Sequence, residues 1–304
     1  MLFVDIHGKY LADSAAAIRE LFITASKNQR HSGDLLLVIL EGHYKPNKFN
    51  FAKLSANAAT HGMKLLEYDI EDNDVIWPEV ETNNVIKIIA DGYNCTSSEF
   101  IAETQNINDT KDGEKINQYW KHVYTVVGLE FLIYLKVWEM DSYIRKLFQI
   151  SELAIGNGYD WYLETANKTK IDPTLHKIAK NELRDRLIKN LKTANCNQLA
   201  LLIEDSFSGN LRNAIAHSQY YLINQNIDLV KYNEYVTVDA WLNKLYPLTL
   251  AIYKTFIDEV YNTTLPQYVN HADKHMHKVP VMLGDGIIVN LKNRSQSGYG
   301  SWSF

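Results

Sequence analysis

Cysteine is scarce in this sequence, which excludes the small proteins that depend on several disulfides or on cysteine-bound metals. The chain has two cysteines, Cys95 and Cys196, among 304 residues. They lie too far apart in the sequence to match a zinc-ligand spacing or a disulfide framework. Cysteine used so sparingly is typical of a reducing compartment, and we therefore predict a cytoplasmic protein.

Long apolar runs are missing as well. The longest, Leu35 to Leu40, is much shorter than the roughly 20 residues with which a helix spans a bilayer. Residues 1–5 have no basic segment followed by an apolar stretch, so we expect no signal peptide. We predict neither a membrane-spanning segment nor a membrane partner.

The sequence also lacks the motifs of several common enzyme classes. It has no glycine-rich phosphate loop, no nucleophile elbow and no HExxH zinc motif. The histidines 271, 275 and 277 are close together, but only Asp273 could complete a ligand set, so a polar tail is favoured over a metal site. An acidic segment lacks the glycine and the final glutamate of a calcium loop and predicts a solvated loop; its members are Glu67, Asp69, Glu71, Asp72 and Asp74. We expect no metal and no cofactor.

Positive charge is too limited to predict tight, non-specific binding of nucleic acid. Residues 1–110 contain nine Lys or Arg against 16 Asp or Glu, and residues 111–304 contain 22 against 20. Residues 168–192 have a local excess, with eight basic and three acidic side chains. A solvated helix face would explain this excess. It is also a candidate path for RNA, and its candidate RNA-binding residues are Lys177, Lys180, Arg184 and Lys189.

Residues 1–110 predict a small α/β domain, to which the sequence assigns no role. Short apolar runs predict strands at 2–6, 34–41, 64–69 and 85–90, and apolar residues at helical spacing predict helices at 14–26 and 49–61. Glu41–Tyr44 and Asp91–Asn94 follow two of these strands, where ligands often bind in α/β proteins. Ordinary turns are the favoured interpretation, and a small-molecule enzyme centred on these two segments is an alternative.

Residues 111–262 predict an all-α domain after a polar segment at 106–113 that ends in glycine. Apolar residues at helical spacing predict one long helix, or two joined end to end, over 114–156. Further helices are predicted at 174–191, at 198–204, after Ser208-Gly209, and at 238–261 with a possible interruption at Pro247. Residues 263–304 predict a tail with a strand or hairpin near Gly284-Asp285-Gly286, followed by fraying. The expected fold class is α+β.

One motif carries a functional prediction: Arg212-Asn213-Ala214-Ile215-Ala216-His217. This motif resembles the active-site signature of HEPN-domain ribonucleases. It has an Arg, a polar residue directly after the Arg, and a His separated from the Arg by four residues. The resemblance covers about half of the chain, roughly residues 115–262, and implies an HEPN-like helical bundle. It also implies a homodimer whose active site is formed by both chains.

Helix geometry at this motif gives a physical interpretation of its own. Ser208 or Asn210 is a suitable N-cap, which would put Arg212 and Asn213 in the first turn near unpaired backbone N–H groups. An Arg there could bind phosphate through its two-pronged guanidinium. Asn213 and His217 are four residues apart and share a face, but Arg212 and His217 diverge by about 140°. One copy of the motif therefore makes a poor site by itself.

The resemblance implies metal-independent cleavage of RNA by attack of the 2′-hydroxyl on the adjacent phosphorus, which leaves a 2′,3′-cyclic phosphate. His217 would transfer protons, Arg212 would stabilise the developing charge, and Asn213 would orient the phosphate or the imidazole. Family members commonly act as toxins or anti-phage, abortive-infection effectors, with a possible antitoxin or regulatory partner. The alternative is a non-catalytic HEPN-like module that dimerises and binds a protein partner or a nucleotide. In that case, carboxylates such as Glu204 or Asp205 would pair with the Arg and the His.

Overall fold

Helices dominate a computed structural model of the chain, and several small sheets accompany them. The structure describes residues 2–44, 68–70, 82–87, 94–166, 176–268, 278–293 and 302–303. The α+β class expected from the sequence is confirmed. The predicted helix at 49–61, the histidine cluster, and all of the acidic segment except Asp69 lie outside the described residues.

Ten α-helices are labelled along the described part of the chain. Their bounds are α1 Val4–Asn28, α2 Asp34–Ile39, α3 Ser97–Asp109, α4 Gly113–Glu139, α5 Asp141–Ala154, α6 Lys180–Thr193, α7 Asn197–Ser206, α8 Gly209–Ala216, α9 Val238–Ala240 and α10 Tyr246–Asp258. Two π-helical segments, Trp241–Leu245 and Glu259–Thr264, adjoin α10. No helix in the described ranges combines the length and the apolar character that crossing a membrane requires.

Short strands form five small sheets in the same described ranges. The strands are β1 Leu2–Phe3, β2 Gly42–Tyr44, β3 Tyr68–Ile70, β4 Asn94–Cys95, β5 Leu163–Ala166, β6 His176–Ala179, β7 Tyr220–Ile223, β8 Asn226–Leu229, β9 Glu234–Thr237, β10 Lys278–Met282, β11 Ile288–Asn293 and β12 Trp302–Ser303. β1 pairs with β4, and β5 with β6, in parallel; β2 pairs with β3 antiparallel. The two three-stranded sheets, β7-β8-β9 and β10-β11-β12, are antiparallel.

Contacts divide the chain into two compact units, each assembled from three segments. Unit 1 comprises Met1–Ile18, Pro78–Met140 and Gln198–Phe256, and unit 2 comprises Arg19–Trp77, Asp141–Asn197 and Ile257–Phe304. Each unit takes residues from both sides of position 110. The boundaries of these units therefore differ from the predicted domain limits, 1–110, 111–262 and 263–304. The division into those domains stays a prediction.

Helical spacing predicted several elements correctly. The predicted helix at 14–26 lies within α1, and its apolar stripe is buried: Ile18, Leu21, Phe22 and Ala25. The predicted helical stretch at 114–156 is two helices, α4 and α5, that separate at Met140. The helices predicted at 198–204 and after Ser208-Gly209 are α7 and α8.

The strand predicted at 34–41 is wrong, because this run forms helix α2. All six residues of α2 are buried, and the Leu37 N–H donates to the Gly33 carbonyl at 3.0 Å, closing a helical turn. A segment that is apolar on every side has no periodicity by which helix and strand could be told apart. The strand predicted at 85–90 is also wrong over its described part, since residues 82–87 are helical.

The all-α prediction for residues 111–262 is also wrong, since this stretch contains strands β5 to β9. Asn224 and Gln225 both have positive φ, which makes the tight turn that joins β7 to β8. Residues alternate along these strands: Ile227 and Leu229 are buried, whereas Tyr221 is exposed. The helix predicted from 174 begins at Lys180, after strand β6.

The hairpin predicted in the tail is confirmed. Strands β10 and β11 pair with Met282 opposite Ile288, and the turn between them contains Gly284 and Gly286. Gly286 has φ +85°, a conformation that suits glycine. The fraying predicted after the hairpin is wrong for Trp302 and Ser303, which form β12 and pair with β11.

Aromatic side chains around Trp241 form the centre of unit 1. The Trp241 ring packs edge-on against Phe131 and Tyr134 of α4, with ring centroids 4.8 and 5.3 Å away. Its indole N–H donates to the Glu130 carboxylate at 2.7 Å, and both side chains are fully buried. This bond provides a partner for a polar group that would be costly to bury without one.

Pro247 shows how α1 supports the helices that follow Trp241. Proline has no N–H, so it cannot donate to the Asn243 carbonyl one turn earlier. The Tyr10 hydroxyl of α1 donates to that carbonyl at 3.2 Å. The Pro247 carbonyl in turn accepts a 3.1 Å hydrogen bond from Nδ1 of His7. The interruption predicted at Pro247 thus takes the form of a π-helical segment that ends just before it.

Unit 2 contains a buried ion cluster centred on Glu41. The Glu41 carboxylate lies 3.4 Å from Arg145 and 3.5 Å from Lys146, and Lys146 also donates to the Tyr261 hydroxyl at 3.1 Å. Glu41 has φ +53°, a backbone conformation that non-glycine residues rarely adopt. This residue therefore belongs to an internal polar cluster after α2.

His7 predicts a pH dependence of stability. The Pro247 carbonyl can only accept, so Nδ1 carries the proton of the neutral ring; Nε2 is buried without a partner among the described atoms. Burial lowers the pKa of His7 below its ordinary 6.5. The unfolded chain therefore takes up a proton at His7 first as the pH falls, and the folded state loses stability from about pH 6.5 downward.

His7→Asn keeps an N–H donor near the position of Nδ1 but does not titrate. We expect the free energy of unfolding to fall more between pH 7.5 and pH 5.5 for the wild type than for this variant. Urea denaturation at the two pH values measures the difference, and all other histidines are common to both proteins. Parallel pH profiles would show that His7 does not titrate as its burial requires.

Candidate functional site

Helix α8 carries the motif, and its residues explain why it forms there. Ser208 is the N-cap, and its hydroxyl accepts from the Leu211 N–H at 3.3 Å. Leu211, Ala214 and Ile215 are buried and form the apolar stripe of the helix. With this stripe inward, Arg212 and Asn213 are half-buried and His217 is exposed.

Tyr134 of helix α4 fixes the start of α8. Its hydroxyl accepts a hydrogen bond from the Ser208 backbone N–H at 3.0 Å. The Tyr134 ring is itself fully buried against Trp241. The N-cap of the motif helix is therefore tied directly to the aromatic core of unit 1.

The helix ends at His217, which is its C-cap. The Gln219 N–H donates to the Ala214 carbonyl at 2.7 Å and the Ser218 N–H to the Ile215 carbonyl at 3.1 Å, the two bonds of a Schellman motif. Ser218 has φ +52°, a position that glycine usually occupies. The chain then turns into β7, so the imidazole of His217 lies at the junction of helix and sheet.

Arg212 is held by two neighbours through separate nitrogens. Its Nε lies 2.6 Å from Oε1 of Glu139, the last residue of α4. Its Nη1 donates to Oδ1 of Asn213 at 2.6 Å. The Arg212 side chain remains 17% exposed. In the described part of the chain, Nη2 has no partner, so its two N–H groups remain available for an anion.

Two expectations about Arg212 need correction. It is the fourth residue of α8 rather than a first-turn residue, and its backbone N–H already donates to the Ser208 carbonyl at 2.9 Å. The helix N-terminus therefore offers no unpaired N–H at this residue. The carboxylate that pairs with Arg212 is Glu139 rather than Asp205, which pairs with Lys244 at 2.9 Å. No local spacing could have indicated Glu139, because it is far from the motif in sequence.

His217 makes no side-chain hydrogen bond or ion pair within the described ranges, and its ring is exposed. Arg212 is packed towards α4, whereas His217 lies at the far end of a helix of eight residues. No hydrogen bond joins Arg212 to His217 among the described residues. This agrees with the divergence expected from the helix geometry, and it leaves an unengaged imidazole on the surface of unit 1.

The candidate RNA-binding residues of the basic segment belong to unit 2, whereas the motif belongs to unit 1. Lys180 pairs with Asp141 at 2.9 Å and Arg184 with Asp185 at 2.9 Å. Lys177 lies 3.7 Å from Glu164. Three of the four cations are thus balanced by carboxylates, and Lys189 is exposed. The proposed RNA path along this segment stays a prediction.

The other candidate sites gain little support. Groups of three or more His, Cys, Asp or Glu side chains that could hold a metal do not occur in the described ranges. Unit 2 has a cavity of about 560 Å³ whose lining includes Phe22, Leu35 and Glu259, but neither Glu41 nor His43. Asp91 lies outside the described residues. This cavity therefore does not support the alternative of a small-molecule enzyme centred on Glu41–His43.

The ion pair between Arg212 and Glu139 predicts a measurable but modest coupling. Both side chains have some access to water, so a double-mutant cycle with Arg212→Ala and Glu139→Ala should give about 0.5–1 kcal/mol. The matched control is Lys244 with Asp205, a more exposed pair in the same unit, whose coupling should be smaller. Chemical denaturation measures both cycles. A coupling above about 2 kcal/mol would instead make Arg212 a buried structural cation.

Comparison with known proteins adds no assignment to this geometry. No family model, no curated protein and no solved structure matches the chain. The functional interpretation therefore depends on the residues of the site themselves.

Proposed function

We propose that this protein is a metal-independent endoribonuclease of the HEPN type whose active site contains Arg212, Asn213 and His217. The observation that carries the proposal concerns the hydrogen-bond partners of Arg212 and the exposure of His217. Among the described residues, Glu139 and Asn213 engage Nε and Nη1 of Arg212 while Nη2 keeps its donors, and an exposed imidazole without a partner lies at the end of the same helix. A phosphate-binding cation and a proton-transfer group are the two requirements of this reaction.

The reaction needs no group other than the RNA and these side chains. The 2′-hydroxyl attacks the adjacent phosphorus while His217 accepts its proton, and the bond to the 5′-oxygen breaks as the protonated imidazole gives that proton to the leaving 5′-oxygen. The products are a 2′,3′-cyclic phosphate and a 5′-hydroxyl. Arg212 stabilises the charge on the phosphorane oxygens through Nη2. Asn213 is a positioning residue, because its Oδ1 accepts from Nη1 and orients the guanidinium.

We propose a homodimer in which Arg212 of one chain acts with His217 of the other. The two residues diverge along α8, so a single chain presents them in different directions. A twofold axis beside α8 would bring each Arg212 to the partner's imidazole. A cytoplasmic toxin or anti-phage effector, with an antitoxin or regulatory partner, is the biological context that we propose with this activity.

A second candidate function is a non-catalytic HEPN-like module that dimerises and binds a protein partner or a nucleotide. The observation in its favour is the Glu139 carboxylate on Arg212, since it neutralises the cation that catalysis would use. The two functions differ in whether the chain degrades RNA.

Cleavage of total cellular RNA in EDTA tests the nuclease. Wild-type protein should give discrete fragments with cyclic-phosphate ends, and His217→Ala and Arg212→Ala should each lower the rate by about 10²–10⁴-fold. Glu103→Ala, a change of an exposed carboxylate on α3 outside the motif, is the control. Circular dichroism should show all variants folded. Absence of cleavage by a folded wild-type dimer would favour the non-catalytic module.

Mixing two inactive variants tests whether the site is shared between chains. Arg212→Ala and His217→Ala protomers, allowed to exchange, should recover about a quarter of wild-type activity, because half of the dimers are mixed and each has one complete site. The rate of RNA cleavage in the equilibrated mixture is the measurement. A mixture as inactive as its components would mean that Arg212 and His217 act within one chain.

A further inference from the structure

A groove runs along one side of unit 1, at the opposite end of β7 from His217. Its volume is about 1040 Å³, and it lies between the first turns of α4 and the turn that joins β7 to β8. The groove belongs to the same unit as the motif. Neither the motif nor the proposed reaction uses its residues.

Two aromatic rings form one wall of the groove. Trp120 and Tyr124 are four residues apart on α4, with ring centroids separated by 5.7 Å. The Tyr124 hydroxyl accepts from the Gln225 N–H at 3.0 Å, which holds this ring against the hairpin turn. Both side chains are only half-buried. A rigid, partly exposed pair of rings is the usual surface on which unpaired bases stack.

The lining also contains amide side chains, and its net charge is close to zero. Amides come from both walls, with Asn117 and Gln118 on α4 and Asn224 and Gln225 in the turn. Amides donate and accept at once, as the edges of unpaired bases require. The charged residues of the lining are Lys121 and Glu114, which cancel. This chemistry suits bases rather than a run of phosphates.

Strand β7 connects the groove to the motif. Ile223 lines the groove at one end of the strand, and His217 lies three residues before the other end at Tyr220. Residues alternate along a strand, so Ile223 shares a face with Tyr221. Tyr221 lies opposite Asp228, and Asp228 opposite Tyr235; both tyrosines are 65% exposed. The exposed face thus continues from Ile223 to Tyr221, in the direction of His217 along β7, and from Tyr221 across the sheet to Tyr235.

We infer that the groove binds the unpaired bases of single-stranded RNA whose backbone reaches the motif along β7. The inference deepens the proposed nuclease and depends on it for the identity of the ligand. Trp120 and Tyr124 stack on the bases, and the four amides contact base edges. Because recognition is of bases, duplex RNA does not bind in the groove, and the affinity depends weakly on salt.

The test is a titration of fluorescein-labelled single-stranded RNA, followed by anisotropy, with full-length His217→Ala as the parent protein so that the RNA stays intact. Adding Trp120→Ala should weaken binding about 5- to 150-fold, the usual effect of losing one stacked base. Trp120→Phe should retain most of the affinity, since it keeps a ring.

A second variant avoids the half-buried Trp120. Asn117→Ala with Gln118→Ala removes two exposed amides of the groove and should also weaken binding. Its matched control is Gln105→Ala with Asn106→Ala, an adjacent pair of exposed amides on α3 outside the groove, which should bind as the parent does. The slope of log affinity against log salt should lie between 0 and about −1.5, as expected for two phosphate contacts.

Each outcome decides the inference. Loss of affinity in both groove variants, with none in the control pair, supports it. Unchanged affinity in both groove variants, no RNA binding by the parent, or equal competition by duplex RNA would overturn it. So would groove variants that change only the sedimentation of the dimer, because the groove would then be occupied by a second copy of the chain.

Cleavage by wild-type protein separates this inference from the proposed function. If wild type does not cleave RNA but the groove variants lose affinity, the nuclease fails and the groove stands as an RNA-binding site. If wild type cleaves, and the groove substitutions change neither RNA binding by the His217→Ala parent nor cleavage when they are introduced into the wild type, the nuclease stands and the groove inference fails.

Discussion

The hydrogen bond from the Trp241 indole to the Glu130 carboxylate is the interaction on which the candidate site depends. Both side chains are fully buried, so the carboxylate has lost water and needs this donor. The bond fixes α4 against the π-helical segment that contains Trp241. Helix α4 also carries Tyr134 and Glu139, which hold the start of α8 and the guanidinium of Arg212. A buried polar contact thus determines the position of a half-exposed cation.

Carboxylates neutralise much of the positive charge of Arg212 and of the basic segment, and this affects which ligands the protein can bind. Glu139 balances one edge of Arg212, and the basic segment of unit 2 is largely balanced by its own carboxylates. The chain as a whole has a formal charge of −5. Attraction to phosphate alone would therefore be weak. Selective contacts with bases, such as the groove beside Trp120 offers, would compensate for the missing positive charge and favour unpaired RNA over bulk RNA.

The helical parts of the fold were predictable where one side of a helix faces water. The stripe of α1 and the N-cap at Ser208 follow from local spacing and capping chemistry, whereas the spacing left open whether 114–156 is one helix or two and did not locate the break at Met140. Prediction failed where no side of a helix faces water, or where short strands are involved. Helix α2 is buried on every side, and the hairpin of β7 and β8 depends on positive φ at Asn224 and Gln225 rather than on a glycine.

The sequence by itself determined the helix that carries Arg212, Asn213 and His217, the divergence of Arg212 from His217, and the hairpin of the tail, because each follows from contacts between near neighbours in the chain. Only the tertiary structure decided that Glu139 pairs with Arg212, that Tyr134 holds Ser208, and that Trp120 and Tyr124 face the turn between β7 and β8. These pairs join residues that are far apart in sequence, and no spacing rule encodes them. They arise because burying the aromatic core of unit 1 brings α4, α8 and the β7–β9 sheet together.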